Sequence, residues 1–465
     1  MIHEKTINLK EFEENLYAFV CRIGQEYFKE TLENWDKELF ESRDRSVYRD
    51  KGKRKTVLKT LMGEVEYNRH VYVFTDENGR NGTVYLLDEK IGKMGSGFFS
   101  EALSERIASA VCELPYRKAA ETISKLTGQS ISHTAAWNVT QHLGERVDEI
   151  ELEYAKQAKK NESIGNIETK VLFEEQDGIR LHLQGAARKE FGKGREMKLC
   201  IAYDGVKKTG DKRYALTNKV ACSNFETVSK FYRRKEGVIA ANYNVDEIDI
   251  RVLNGDGAGW IKHKKSADTL YQLDTYHRNR AIVSAAPDER SREDIFKTLY
   301  SGDIEHLLVY IETLADNVED EKQEKRLREL YKYFSNNKNG LVPYSKRGAK
   351  IPEVPLDKEY RRLGAMESNI FTIIGNRMKG RRKCWSINGG NNLSRLLCLK
   401  ATGKLNKVVV MVSAQMPEKY AEEIVTQFSS AKTQSSVGEG YNGYKDFLIP
   451  SSQKWFKDIA KIRPV

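Results

Sequence analysis

Three acidic residues stand where strand ends or a helix start would deliver a carboxylate: Asp177, Asp256 and Glu367. The alternating run Ile248-Asp249-Ile250-Arg251-Val252-Leu253 leads into Asn254-Gly255-Asp256-Gly257, a carboxylate between glycines at the open end of a sheet. Lys170 to Gly178 predicts a strand ending in Asp177-Gly178, and Leu363 to Lys379 predicts an amphipathic helix with Glu367 in its first turn. Carboxylates crowded in a partly dry site repel one another, and a divalent cation relieves that repulsion. Mg²⁺ (or Mn²⁺) takes oxygen ligands and keeps waters and phosphate oxygens in its shell. Two such ions about 3.5–4 Å apart activate an attacking oxygen and stabilise a leaving oxygen at a phosphodiester. Plainer roles fit the same acids. Asp-Gly is a favoured hairpin pair, which covers Asp177 and Asp256, and a glutamate suits a helix N-terminus. With 67 acids in the chain, position alone does not decide.

The surrounding elements must bring the three acids together. The region from residue 165 to 280 reads as strands at 170–178, 179–183 and 197–205, a further strand within 214–222, a helix at 225–241, the strand 248–255, a short helix, and a strand at 270–274. Three strands, a helix, then a strand with an acid at its end is the ribonuclease H-like order, in which the first and fourth strands are neighbours and set Asp177 beside Asp256. Residues 281–361 carry helical periodicity and read as an all-helical insertion, after which 362–400 returns the third-acid helix with Glu367. A C-terminal extension, 401–465, holds one clear strand at 408–412, a helix and a mobile polar stretch at 434–440.

Ahead of this core, residues 1–44 read as a long amphipathic helix whose Phe12, Leu16, Phe19, Val20, Ile23 and Tyr27 form a face for packing or a dimer contact. Residues 45–92 read as a small antiparallel β unit with turns at Asn78-Gly79 and Asn81-Gly82. Its basic run from Arg49 to Lys55 suits either phosphate contact or a solvated edge. Residues 93–160 hold a helix at 116–126, a turn at 127–130 and a second helix from 131, with Ser130 or Ser132 as N-cap. This is the helix-turn-helix pattern, which would present His133, Thr134, Trp137 and Asn138 to a DNA major groove; a plain helical hairpin has the same pattern. A domain boundary is expected after the charged tract ending near residue 163. The fold class is thus α/β multidomain: a ribonuclease H-like core interrupted by helices, preceded by a β unit and a helix-turn-helix region.

Composition narrows the partners. The 465 residues carry 78 Lys+Arg against 67 Asp+Glu, a net charge of +11, which suits a polyanionic partner such as nucleic acid and equally a solvated basic surface. Six scattered cysteines without a Cys-x-x-Cys pair argue against a zinc knuckle and a disulfide framework. There is no signal-peptide core and no apolar run of about 18 residues, so no membrane partner is expected and the location is cytoplasmic.

The motifs in combination resemble a known family. Asn254-Gly255-Asp256-Gly257-Ala258-Gly259-Trp260-Ile261, followed by Gln272-Leu273-Asp274-Thr275-Tyr276-His277, resembles the second-acid region of bacterial insertion-sequence DDE transposases of the ISLre type, and more distantly of Mutator-like transposases. Phe173-Glu174-Glu175-Gln176-Asp177-Gly178-Ile179 is similar to the first-acid strand, and Glu367-Ser368-Asn369 with Arg377-Met378-Lys379 and Trp385-Ser386 to the third-acid helix. Gly63-Glu64-Val65 and Leu114-Pro115-Tyr116-Arg117 extend the likeness through the N-terminal half. Mutator-like relatives often carry Cys-x-x-His after the second acid; here the matching residues are Asp274 and His277, which leaves open whether they support the site or are structural.

The resemblance implies a transposase that binds the terminal inverted repeats of an insertion sequence. With two Mg²⁺ or Mn²⁺ ions held by Asp177, Asp256 and Glu367, water and then a 3′-hydroxyl would attack phosphodiesters, with no covalent protein–DNA intermediate. It further implies phosphate contacts from Arg377, Lys379, Arg381, Arg382 and Lys383, and a homodimer or larger assembly that processes two double-stranded DNA ends together, in a nucleoid-associated protein. Trp385 would pack locally or wedge at a DNA end. The alternatives are a DNA-binding protein descended from a transposase without catalysis, and a glycosidase using Asp177 and Asp256, which the basic charge disfavours.

Overall fold

A computed structural model describes residues 8–75, 79–91, 99–162, 165–262, 269–348, 350–380 and 382–406. The expected strand at 408–412 and the rest of the C-terminal extension lie outside the described residues, as does Arg381. The chain is a mixed α/β protein of two compact units that divide between His142 and Leu143. That division falls inside a long helix, ahead of the charged tract near residue 163. No helix of the described residues is long and apolar enough to cross a membrane.

In the first unit, α1 (Leu9–Ser42) starts at Asn8, whose side chain accepts from the Glu11 N–H. Strands β1 (Arg49–Thr60), β2 (Gly63–Thr75) and β3 (Asn81–Val84) form an antiparallel sheet in that order. Asn81-Gly82 is therefore strand rather than turn, and Leu86-Leu87 opens the short helix α2 (Leu86–Lys90). Leu32 of α1 packs on Leu58, Val65, Tyr67 and Leu87, while buried Asp36 accepts the His70 N–H at 3.0 Å and faces its Nδ1 at 2.6 Å. The expected packing face of α1 is largely exposed: Phe12, Leu16, Phe19, Val20 and Tyr27 all lie at the surface. Helices α3 (Glu101–Glu113), α4 (Tyr116–Thr127) and α5 (His133–Lys159) follow. Gly128 at φ +62° ends α4, and Ser132 caps α5 by accepting the Ala135 N–H at 3.0 Å.

The second unit is built on β4 (Val171–Leu183). Asp177-Gly178 is not a hairpin turn. The strand runs through it, because each of these residues finds an antiparallel partner in register, Leu199 and Lys198. After α6 (Gly185–Phe191) comes β5 (Gly194–Tyr203), then a separate ribbon of β6 (Val206–Gly210) and β7 (Arg213–Leu216), then β8 (Val220–Asn224) and α7 (Val228–Ala240). Strands β9 (Ile250–Gly255) and β10 (Thr269–Leu273) complete a sheet ordered β10-β9-β4-β5-β8. Strand β5 is antiparallel to β4 and β8, whereas β9 is parallel to both β4 and β10. The short helix expected after Asp256 is absent from the described residues, which turn between Gly259 and Lys262.

Helices α8 (Thr275–Ala285), α9 (Glu289–Ser301), α10 (Ile304–Asn317), α11 (Glu321–Asn336) and α12 (Lys338–Leu341) follow β10. Their apolar faces, including Ile282, Ile295, Leu307, Ile311, Leu327 and Phe334, share one core with Leu253, Tyr271 and Leu273 of the sheet, so these helices are packed onto β9 and β10. The chain then returns through α13 (Met366–Asn369), a π-helical stretch (Ile370–Gly375) and α14 (Asn376–Met378) to β11 (Cys384–Trp385), which pairs with the end of β4, and α15 (Ile387–Ala401). Buried Arg234 of α7 and Arg395 of α15 share Asp148 and Glu151 of α5, tying three helices through paired charges.

Candidate metal centre

Alternation along β4 fixes what each of its residues faces. Phe173, Glu175, Asp177 and Ile179 share one face of the strand. The returning segment lies along that face in the same order. Phe173 meets the ring of Tyr360 at 5.2 Å, Glu175 accepts from the Gly364, Ala365 and Met366 N–H groups, and Ile179 lies under Gly375. Asp177 thereby comes to the helix that carries Glu367.

His277 closes the group. Its Nε2 lies 2.9 Å from Glu367 Oε1 and 3.9 Å from Asp177 Oδ2. One ligand atom from each of Asp177, His277 and Glu367 lies within 4.8 Å of the others. Asp256 is close by but outside that set. It follows the last residue of β9, its Oδ1 accepts the Ala258 N–H at 2.8 Å, and its charge is felt at Asp177. Burial pushes the Asp177 carboxyl up to about 6. The Gly178 N–H, 2.7 Å from Oδ1, and His277 pull it down, while the charges of Asp256 and Glu367 add to the rise. A half-buried cluster of carboxylates and one imidazole, with an acid held against ionisation, is a donor set that fits a divalent cation.

Asp274 supports the site from one step back. Its Oδ1 caps α8 by accepting the Tyr276 and His277 N–H groups at 2.9 and 3.1 Å, and its Oδ2 accepts from Asn254 Nδ2 at 3.0 Å. It is buried and places the first turn of α8, on which His277 sits, instead of joining the ligand group. Asp274→Ala should cost about 2 kcal/mol through the lost cap and weaken divalent-ion binding, whereas Asp274→Asn, which keeps an acceptor, should retain most of both. Urea unfolding and ion titration of the two variants would check this.

Glu175 is the residue that sequence reasoning passed over. Fully buried, it also accepts from Tyr203 Oη at 2.6 Å and Asn254 Nδ2 at 3.0 Å. The signal for it was an acid two places before Asp177, hence on the same face of the strand. Local packing and backbone conformation account for the glycines on either side of Asp256. A Cβ at Gly255 would meet Ile261 at 2.8 Å, and Gly257 stands at φ +94° against Asn337.

The family profile described as "Uncharacterised protein family (UPF0236)" matches residues 2–415. The chain belongs to the UPF0236 family. It is 23% identical over 407 residues to the "UPF0236 protein in vanSb 3'region" of Streptococcus gallolyticus, covering 85% of this chain and 84% of that protein. UPF0236 proteins of Caldanaerobacter subterraneus subsp. tengcongensis are also similar. One, whose name carries eleven locus designations, is 23% identical over 345 residues (73% of this chain, 68% of that protein), and another, with four designations, is 22% identical over 347 residues (73% and 69%).

The basic cluster after Glu367 divides on inspection of this UPF0236 chain. Arg377 is 5% exposed, with its guanidinium 5.6 Å from the centroid of the Trp385 ring, so it is a packed interior group and not part of a phosphate-facing surface. Half-buried Lys383 donates to the Arg377 and Asn376 carbonyls at 2.7 and 3.3 Å, closing the end of α14. Trp385 is buried and donates Nε1–H to the Met378 carbonyl at 2.8 Å, a packing role. Lys379 and Arg382 are exposed. At the start of α5, His133, Thr134 and Trp137 are exposed and Asn138 is half-buried.

Proposed function

We propose that this UPF0236 chain is a DNA transposase of the DDE type, acting on the ends of an insertion sequence by divalent-ion-dependent strand cleavage and strand transfer. The observation that carries it is the convergence of Asp177 and Glu367, far apart in sequence, with Asp256 at the end of the adjacent strand. The strand order β10-β9-β4-β5-β8, with β9 and β10 parallel to β4, supports reading the second unit as a ribonuclease H-like core with a helical insertion. Eleven locus designations on one relative, and four on another, are what a sequence repeated through a genome receives, as an element that moves would be.

Asp177, Asp256 and Glu367 would hold Mg²⁺ or Mn²⁺, which supplies charge neutralisation at the scissile phosphate and activation of the attacking oxygen. The chain's own groups do the rest. Helix α13, anchored on Glu175, orients Glu367. The surface carrying Lys379 and Arg382 attracts the DNA backbone, making binding salt-sensitive. Residues His133, Thr134, Trp137 and Asn138, in a helix-turn-helix reading of α4 and α5, contact the terminal repeats. Two chains pairing two DNA ends make the active species a homodimer or larger assembly.

Asp256→Asn and Glu367→Gln should leave binding to terminal-repeat DNA within about twofold while reducing cleavage and strand transfer by at least ~10³-fold, the scale of a lost transition-state contact in a site of this kind. Cleavage that persists in both variants would end this reading.

A further inference from the structure

We propose that His277 is a direct nitrogen ligand of the ion held between Asp177 and Glu367, so that this centre prefers Mn²⁺-like ions to Mg²⁺. The inference rests on the metal-dependent reading above and adds a ligand of a different chemical kind.

The distances carry it. A first-row divalent ion binds nitrogen and oxygen at about 2.0–2.2 Å, so neighbouring ligands on one octahedral ion lie about 2.9 Å apart and opposite ligands about 4.2 Å apart. His277 Nε2 lies 2.9 Å from Glu367 Oε1 and 3.9 Å from Asp177 Oδ2, within that span. The third pair, from Asp177 and Glu367, lies within 4.8 Å, so small side-chain adjustments bring all three atoms onto one ion with their helices and strand in place. Asp256, whose Oδ1 accepts the Ala258 N–H, lies close by but outside this three-atom set.

The histidine and the glutamate are also positioned by one buried side chain. Asn254 Nδ2 donates to Asp274 Oδ2 and to Glu175 Oε2, both at 3.0 Å. Asp274 caps the turn that carries His277, and Glu175 holds the backbone at 364–366 just ahead of Glu367. Asn254 thus sets the two donors in register across β9, between the strand of Asp177 and the strand that leads into α8. Imidazole suits first-row transition ions, most strongly those after Mn²⁺ in the series; Mn²⁺, the weakest of them, still accepts nitrogen more readily than Mg²⁺, which demands oxygen donors in near-ideal octahedral geometry. A histidine that only hydrogen-bonds Glu367 would give no such preference.

The test uses the full-length chain titrated with Mn²⁺ and Mg²⁺ by calorimetry, and pulsed electron paramagnetic resonance of the Mn²⁺ form. Wild-type protein should show ¹⁴N modulation from a directly bound imidazole, and His277→Ala should lose it. His277→Ala should weaken Mn²⁺ binding by about tenfold or more and Mg²⁺ binding by less than about threefold, with an unchanged metal-free melting curve as proof of folding. Asp177→Asn and Glu367→Gln should lose both ions. Mn²⁺ bound without nitrogen coupling, at an affinity that His277→Ala does not alter, overturns the histidine ligand and leaves the carboxylate site standing. Mn²⁺ binding that survives Asp177→Asn and Glu367→Gln overturns the carboxylate site itself.

Discussion

Asp177→Asn should abolish divalent-ion-dependent DNA cleavage and, at pH 7 without metal, make the protein more stable than wild type. Burial, joined by the charges of Asp256 and Glu367, lifts the Asp177 carboxyl from 3.8 to about 6 in the folded chain. Below about pH 4 the acid is protonated whether the chain is folded or not, and it contributes no penalty. Between pH 4 and 6 the unfolded chain releases its proton while the folded chain retains it, so stability falls as pH rises. Each pKa unit is worth 1.36 kcal/mol, so by pH 7 the loss is roughly 3 kcal/mol. An amide at this position keeps an acceptor for the Gly178 N–H and never ionises, so the loss disappears. Melting curves in chelator at pH 4.5 and 7 should show wild type and variant close together at the lower pH and the variant several degrees higher at neutrality. Added Mn²⁺ should raise the wild type and leave Asp177→Asn where it was, since the ion neutralises the repulsion that the substitution removes. A variant that melts below wild type at pH 7 in chelator would show that Asp177 is held as an ordinary structural acid.

The same carboxylate shows what the sequence could and could not reveal. The strands that carry Asp177 and lead to Asp256 were legible because β4 and β9 hold alternating or apolar runs, and pattern is a local property. Helices α9 and α10 were legible for the same reason: Ile295, Leu299, Leu307, Leu308 and Ile311 recur at helical spacing and are buried in one core. The strand end expected at Asp177-Gly178 went astray because Asp-Gly preference is weak beside ladder pairing, and β5 supplies partners on both sides of the pair. The five basic residues after Glu367 looked alike in one dimension. Burial separates Arg377, which packs on Trp385, and Lys383, which closes a helix end, from exposed Lys379 and Arg382. The apolar stripe of α1 followed helical periodicity faithfully, yet periodicity states only that a face is apolar, not that something covers it. The link from Asn254 to both Glu175 and Asp274 joins three strand regions, and no single stretch of sequence contains it.

Glu175→Ala should have the opposite effect on stability from Asp177→Asn while also removing activity. Glu175 lies two residues from Asp177 on the same face of β4 and is the more deeply buried of the two, yet it is surrounded by donors. The Gly364, Ala365 and Met366 N–H groups, Tyr203 Oη–H and Asn254 Nδ2–H all point at its two oxygens. Truncation leaves the buried members of this set without their acceptor, and an unpaired buried donor costs about 1–3 kcal/mol. The donors relax together, so the sum overstates the effect; a loss of about 4 kcal/mol is expected, at the severe end for one substitution. Glu175→Gln keeps the volume but turns an amide N–H₂ toward N–H groups, and should fall between wild type and alanine. Loss of the anchor also frees the segment ahead of Glu367. Hydrogen exchange in 360–378 should accelerate, and Mn²⁺ affinity should drop even at temperatures where the chain remains folded. Wild-type exchange in that segment together with wild-type Mn²⁺ affinity in Glu175→Ala would remove Glu175 from the positioning role. Two acids on one strand face are thus sorted by what points at them. Asp177, half-buried beside other carboxylates, is destabilising once ionised, and Glu175, surrounded by five donors, holds the segment that leads into Glu367.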